Sequence, residues 1–276
     1  MAHRPIITLT TDFGTNDHFV GAMKGVILDI VPEAAIVDIS HAVQAFDVLD
    51  GAIAISQVYS LFPAGTVHVV VVDPGVGSIR RPIIASSDGY HFVAPDNGVL
   101  SMVYAREERI HVRHITSDHY FRQPVSNTFH GRDIFAPVAA YLAKQVDSHK
   151  FGDEIEDYVR FAAPKPKPSG ENRVRAVVLK VDRFGNLITN ITPQDVPALF
   201  AAKAAAFKIV VGSKEITSIH ASYAEGSPGE VFGILGSMGY LEISANRAPA
   251  AQLTGANKGS EVSIAIGDAA AAGNGK

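Results

Sequence analysis

An α/β domain built on a largely parallel central sheet, followed by a smaller, mostly-β C-terminal domain, is the fold class this sequence predicts. Three observations predict it. Val67 and Val69 to Val72 form a β-branched run without alternation, which suits a central parallel strand buried on both faces. Before that run, apolar stretches read strand, helix, strand, helix, the grammar of a parallel sheet covered by helices. Well after it, Ala162 to Glu171 (AAPKPKPSGE) carries three prolines with lysines between them, which neither a helix nor a central strand accepts. We read residues 1–161 as the N-terminal α/β domain, 162–172 as a stiff exposed linker and 173–276 as the β-rich domain.

The elements follow in order. Ile6 to Thr10 reads as the first strand, with no room before it for a signal peptide. A helix from about Asp17 carries Phe19, Val20, Met23, Val26, Ile27 and Ile30 at helical spacing, and Pro32 stops it. Ala35 to Ile39 makes the second strand. Asp47 or Asp50 caps a second helix through Ile55, Tyr59 and Phe62. After the valine run, Ile83–Ser86 and Tyr90–Val93 read as a hairpin, Asn97–Tyr104 as a short helix, Arg109–Ile115 as a strand and Arg132–Val146 as an amphipathic helix. Beyond the prolines, short strands are expected at 173–181, 209–211, 215–219, 231–235, 240–244 and 262–266, with one helix near Pro193–Ala202. The last residues, GDAAAAGNGK, are too small and polar to pack and are expected to fray.

Composition excludes several classes. With 276 residues, 47% hydrophobic and 19% charged, the chain can bury a full core. A net charge of −4 with no long basic run argues against nucleic acid as a partner. No cysteine is present, which rules out disulfides, thiolate metal sites and a cysteine nucleophile. Gly51 to Val72 is uncharged and long enough to span a bilayer, but Pro63, Gly65 and its polar residues make it a buried helix, turn and strand. A soluble, cytoplasmic protein is the expectation.

Four acid-bearing turns stand out: Thr11–Asp12–Phe13–Gly14 with Asp17, Asp73–Pro74–Gly75, His130–Gly131–Arg132–Asp133, and Asp182–Arg183–Phe184–Gly185–Asn186. Ligands of open α/β sheets bind beyond the carboxyl ends of the strands. Asp73 followed seven residues later by Arg80 reads equally as a site there and as an ordinary turn. Asp12, at the end of the first strand, suits a ribose, because one carboxylate accepts from two vicinal hydroxyls, or it simply caps a helix or makes an Asx-turn. Asp17 reads better as a helix cap. There is no GxxxxGK[ST], and Gly75-Val76-Gly77 is too short for a dinucleotide fingerprint, so a nucleoside without phosphates is the better ligand. Asp73, Arg80 and His130 form a water-activating set if the fold brings them together: aspartate orients, histidine exchanges protons and arginine adds positive potential. Asp12, His41, Asp73 and His130 read alternatively as a metal set, ranked lower for want of tight ligand spacing. Asn186 offers an amide to a base edge or simply makes a turn.

Taken in order, TDFG…D, DPGVGS.RR, FHGRD, D.FGN..TNI and GS.GYLEI resemble the S-adenosyl-L-methionine hydroxide adenosyltransferases, the hydrolytic relatives of the fluorinating and chlorinating enzymes. The resemblance runs from Ile6 to about Ile266. It implies that water attacks the 5′ carbon of S-adenosylmethionine, leaving adenosine and methionine, with no metal or cofactor. It implies a homotrimer, each site lying between the N-terminal domain of one chain and the C-terminal domain of its neighbour. By position, Asp73, Arg80 and His130 match the water-handling triad, which the halogenating relatives replace. Asp12 matches the ribose acid, and Asp17, Asp182 and Ser237 match contacts to the methionine part. Asn186 and the backbone near Arg247 match adenine contacts, and Phe46 an aromatic wall beside the sugar. Met238 departs from the arginine that halogenating relatives carry near the methionine carboxylate. A halide-using synthase, a non-catalytic binder of S-adenosylmethionine or adenosine, and a metal-dependent hydrolase stand as alternatives.

Overall fold

A computed structural model describes residues 4–201 and 206–267. The chain divides into two compact units, residues 1–163 and 164–276. In the first, six strands form one sheet: β1 (Ile6–Thr11), β2 (Ala35–Ser40), β3 (Val67–Val71), β4 (Pro82–Ser86), β5 (His91–Pro95) and β6 (His111–His114). Their order is β2-β1-β3-β5-β4-β6. β2, β1, β3 and β5 run parallel, while β4 pairs antiparallel with both β5 and β6.

The unalternating valines are explained by two cores. Val67, Val69 and Val71 face one side with α1 (Phe19–Ile30) and α4 (Ala136–Ala143). Val70 and Val72 face the other, with α2 (Val48–Val58) and α3 (Ser101–Tyr104). A strand with helices on both faces needs apolar side chains at every position. Asp47 caps α2, its carboxylate accepting from the backbone N–H of Asp50 at 3.1 Å.

The chain leaves β1 for β2 on one side, then returns to lay β3 on the other. That reversal opens a crevice at the carboxyl ends of β1 and β3.

Two expectations are corrected. The predicted helix over 132–146 opens as a π-turn (Gly131–Phe135) and is α-helical only to Ala143. The wide turn seats the fully buried Asp133, which accepts the Ser126 backbone N–H at 2.9 Å and Arg132 Nε at 2.7 Å. In the second unit, the helix expected near Pro193–Ala202 is a single 3-10 turn, Pro197–Leu199. Pro197 has no N–H for the carbonyl of Pro193, and its ring would clash there. Ala202 itself, the first residues of the chain and the tail beyond Gly267, where fraying was expected, lie outside the described residues.

The second unit is a sheet of β7 (Lys167–Gly170), β8 (Arg173–Val181), β9 (Leu187–Thr189), β10 (Phe207–Val211), β11 (Lys214–Ile216), β12 (Ile219–His220), β13 (Val231–Leu235), β14 (Leu241–Ala245) and β15 (Glu261–Ile266), with α5 (Ala250–Thr254) beside it. It is antiparallel except for β12 and β13. β8 pairs with β15 along its first half and with β9 along its second, where a bulge lies between Val178 and Lys180. β7 falls inside the stretch read as linker. Its Pro168 is tolerated because β7 is an edge strand.

Candidate active site

Thr11 stands opposite Val71, so Asp12 and Asp73 leave neighbouring parallel strands one residue out of step. Adjacent strands lie about 4.8 Å apart, which sets both acids at the mouth of one crevice. A cavity of about 300 Å³ opens there, lined by Asp12, Phe13, Phe19, Phe46, Asp73, Thr128, Phe129 and His130, among others. Phe13, Phe19 and Phe129 pack against one another at centroid separations of 5.2 to 6.0 Å and make its apolar wall. A larger hollow of about 680 Å³ lies at the amino ends of the same strands, by Ile6, Thr66 and His91. The smaller one is at the end of the sheet where such folds bind ligands, and it holds the convergent acids.

Arg80 sits behind this cavity and ties its polar wall together. Its Nε contacts both Asp73 oxygens at 3.0 Å, and its Nη2 donates to Asp73 Oδ2 at 2.5 Å and to His130 Nδ1 at 2.6 Å. The π-turn carries Phe135 beneath the guanidinium, 5.2 Å from its carbon. A guanidinium has no acceptor, so His130 Nδ1 must accept, and the neutral ring carries its proton on Nε2. Burial, then the charge of Arg80, lowers the His130 pKa from its ordinary 6.5 and favours the neutral ring. In this tautomer the ring nitrogen not engaged by Arg80, Nε2, carries the hydrogen. The direction of the Arg80 bond is invisible in the sequence, because it is set only where the two residues meet.

The loop bearing Asp73 is pinned at Gly77. Its φ of +76° is a left-handed conformation, and a Cβ there would lie 2.2 Å from the Asn127 carbonyl oxygen. On the opposite rim, Phe46 has φ +65° and is 74% exposed, and its N–H donates to Asp12 Oδ2 at 2.8 Å. Asp17 is exposed in the loop before α1 and does not line the cavity, and His18 rather than Asp17 takes the N-cap position. His41, counted in the alternative metal set, turns its nitrogens to Thr11 and Asp38. Among the described residues no group of three or more His, Cys, Asp or Glu is arranged to hold a metal ion.

In the second unit, Asp182 and Asn186 share one turn. Asp182 Oδ1 accepts the N–H groups of Phe184 and Asn186 at 2.9 and 2.8 Å, and Oδ2 accepts Asn186 Nδ2 at 2.8 Å. Much of the acid's accepting capacity thus serves to orient Asn186. The β9–β14 register carries Asn186 toward the end of β14 that leads to Arg247, a residue with φ +56°. Ser237 and Met238 lie at the other end of β14, in the turn closed by Gly239 N–H to Gly236 O at 2.9 Å. The sequence reading missed Glu242. It is buried, its pKa is raised by desolvation, and it accepts from the Tyr223 hydroxyl at 3.0 Å. Its only sequence signal was an acid at an inward position of a strand.

The geometry defines a class: a two-unit protein whose α/β unit holds a carboxylate–guanidinium–imidazole cluster beside a nucleoside-sized cavity. Residues 7–152 match the SAM hydroxide adenosyltransferase N-terminal domain and residues 176–263 the C-terminal domain of the same family. The chain belongs to the SAM hydroxide adenosyltransferase family. It is 40% identical over 196 residues to an (R)-S-adenosyl-L-methionine hydrolase of Methanocaldococcus jannaschii, covering 69% of this chain and 68% of that one. A hydrolase of the same name from Salinispora tropica is 35% identical, covering 97% of this chain and 100% of its own. A fluorinase of Nocardia brasiliensis is more distant, at 28% over 96% and 98% of the two chains. Among solved structures, an uncharacterized conserved protein from Thermotoga maritima superposes with a TM-score of 0.87 at 36% identity, covering 94% of this chain and 99% of that one.

Proposed function

We propose that this protein hydrolyses S-adenosyl-L-methionine to adenosine and L-methionine. A water oxygen bonds to the ribose 5′ carbon as the carbon–sulfur bond breaks. The electron pair of that bond goes to sulfur, and the proton released from water passes to solvent. The observation that carries this reading is the Asp73–Arg80–His130 cluster beside Asp12, in a chain of this family.

Each residue has a defined role. Asp73 orients the water with acceptor capacity left over from Arg80, and His130 donates Nε2–H to the water oxygen. Arg80 locks both and cancels the charge of the acid. That cancellation matters, because the sulfonium loses its positive charge in the transition state. A bare carboxylate beside sulfur would stabilise the ground state more and slow the step. Alignment of water, carbon and sulfur is left as the main source of rate, worth roughly 7–11 kcal/mol in model systems. The leaving group is a neutral thioether that needs neither proton nor Lewis acid, so the reaction as written calls for no cofactor. Asp12 accepts from the ribose diol and Phe46 walls the sugar. Asn186 and the backbone near Arg247 receive adenine, while Asp17, Asp182 and Ser237 receive the methionine part.

We also propose a cytoplasmic homotrimer. Among the described residues no helix is long and apolar enough to cross a membrane. Phe46 and Val76, which line the cavity, and Ile79, next to Arg80 in the chain, are exposed apolar side chains, which supports their being covered by a neighbouring copy.

Incubation of the purified protein with S-adenosylmethionine, in chloride-free and chloride-rich buffer, with and without chelator, tests the reaction. Adenosine and methionine under all conditions is the expected result. A 5′-halogenated adenosine would move the chain to halide chemistry, loss of product with chelator would establish a metal requirement, and bound nucleoside without product would make it a binding protein.

A further inference from the structure

Asp12 is held by a residue that does not line the cavity. His41 is buried, 6% exposed, at the end of β2 beside the loop that follows β1. Its carbonyl accepts the Gly14 N–H at 2.7 Å, and its ring Nδ1 lies 2.8 Å from Thr11 Oγ1. One residue thus clasps the loop on both sides of Asp12. On the far side of the ring, Nε2 faces Asp38 Oδ1 at 3.0 Å, and Asp38 Oδ2 accepts from Lys24 at 2.6 Å. Burial alone would raise the Asp38 pKa, but Lys24 and His41 together hold it below its ordinary value, so the ring faces a carboxylate.

The proton arrangement follows from the partners. A carboxylate facing Nε2 requires the hydrogen there, because two lone pairs 3.0 Å apart repel. Nδ1 then accepts, and Thr11 donates its hydroxyl hydrogen to it. The Thr11 oxygen is left free to accept, and the Phe13 N–H reaches it at 3.3 Å. Donation runs from Phe13 to Thr11 and from Thr11 to His41, and Asp38 acts on the far side of the ring by its charge. Asp12 sits between the two tethered backbone points, with Oδ2 occupied by the Phe46 N–H, so its orientation is set before any ligand arrives.

We propose that His41 is a positioning residue for recognition of the ribose diol, acting through Thr11 on Asp12. This rests on the reading of Asp12 as the ribose acceptor. A carboxylate that is pre-oriented loses less entropy on meeting two hydroxyls, so the relay contributes to selectivity for ribose over 2′-deoxyribose as well as to affinity.

The test measures binding of adenosine and of 2′-deoxyadenosine by calorimetry, to the wild type and to His41→Leu, His41→Asn and Thr11→Val. The wild type is expected to favour adenosine about tenfold, the worth of one good hydrogen bond. In His41→Leu that ratio falls toward one, and in turnover assays KM for S-adenosylmethionine rises more than kcat falls. His41→Asn, whose amide oxygen can take the Thr11 hydrogen, restores much of the ratio. Thr11→Val keeps the β-branched shape, removes the oxygen and repeats the loss, which covers the case of His41→Leu failing to fold. Folded variants of His41 and Thr11 that discriminate as well as wild type would overturn the relay. A wild type that does not discriminate overturns it one step earlier, at the ribose reading of Asp12, whether or not the protein turns over S-adenosylmethionine.

Discussion

A single direction of donation decides the chemistry proposed for His130. Because Arg80 can only give hydrogens, Nδ1 is occupied, and the ring is neutral with its hydrogen on Nε2. Its lowered pKa means that protonation, which would break the Arg80 bond, occurs below the ordinary value of 6.5. Turnover is therefore expected to stay level from pH 6.5 to 8 and to fall only below that range. His130→Gln, which can place an N–H near Nε2, is expected to retain roughly tenfold more activity than His130→Ala. A pH–rate profile rising through 6.5 or above, with both variants equally dead, would restore the histidine as a base.

At the scale of elements, the loop between β3 and β4 and the π-turn must both be held for the cluster to exist. Gly77→Ala tests the loop. The substitution forces a left-handed φ on alanine, a cost of about 1–3 kcal/mol, and drives a Cβ into the Asn127 carbonyl, which only a backbone shift relieves. We expect kcat to drop by about 10²-fold, since small misplacements at a reacting centre are expensive, with the N-terminal unit still folded by circular dichroism. β3 carries a second, purely structural dependence. His68 is fully buried, stacks on Phe92 at 5.1 Å and meets Thr8 Oγ1 at 2.7 Å, and burial pushes its pKa down to about 3. A depressed histidine pKa contributes stability above 6.5 that is lost as pH falls. The unfolded chain takes up a proton that the native one refuses. The loss from this residue approaches 1.4 kcal/mol per pH unit between 6.5 and about 3. Denaturant unfolding as a function of pH is expected to show a shallower acid slope in the double variant Thr8→Val/His68→Phe. An unchanged slope would place the acid sensitivity elsewhere.

At the scale of the whole molecule, the apolar rim is the feature a lone chain leaves unexplained. Ile79 is fully exposed, next in sequence to Arg80, and Phe46 and Val76 are exposed where they line the cavity. If a neighbouring copy covers this rim, Ile79→Glu would bury a charge against apolar surface, a cost of several kcal/mol unless the copies separate. Sedimentation is expected to show trimers for wild type and monomers for Ile79→Glu, with turnover lost in parallel. A monomeric wild type with full activity would end the trimer proposal.

Much was legible in the residues themselves. The unalternating valines of β3, the helical spacing of α1 and the prolines after Ala162 carry the fold class, because strand burial and helix periodicity are local properties of a sequence. Asp12 and Asp73 were legible as acids at strand ends for the same reason. Tertiary structure alone decided the rest. It brought His130 onto Arg80 across fifty residues and so set the tautomer, turned the start of a predicted helix into a π-turn around Asp133, and seated His41 behind Thr11. Donor direction, desolvation and pairing depend on which groups meet, and spacing along a chain does not record those meetings.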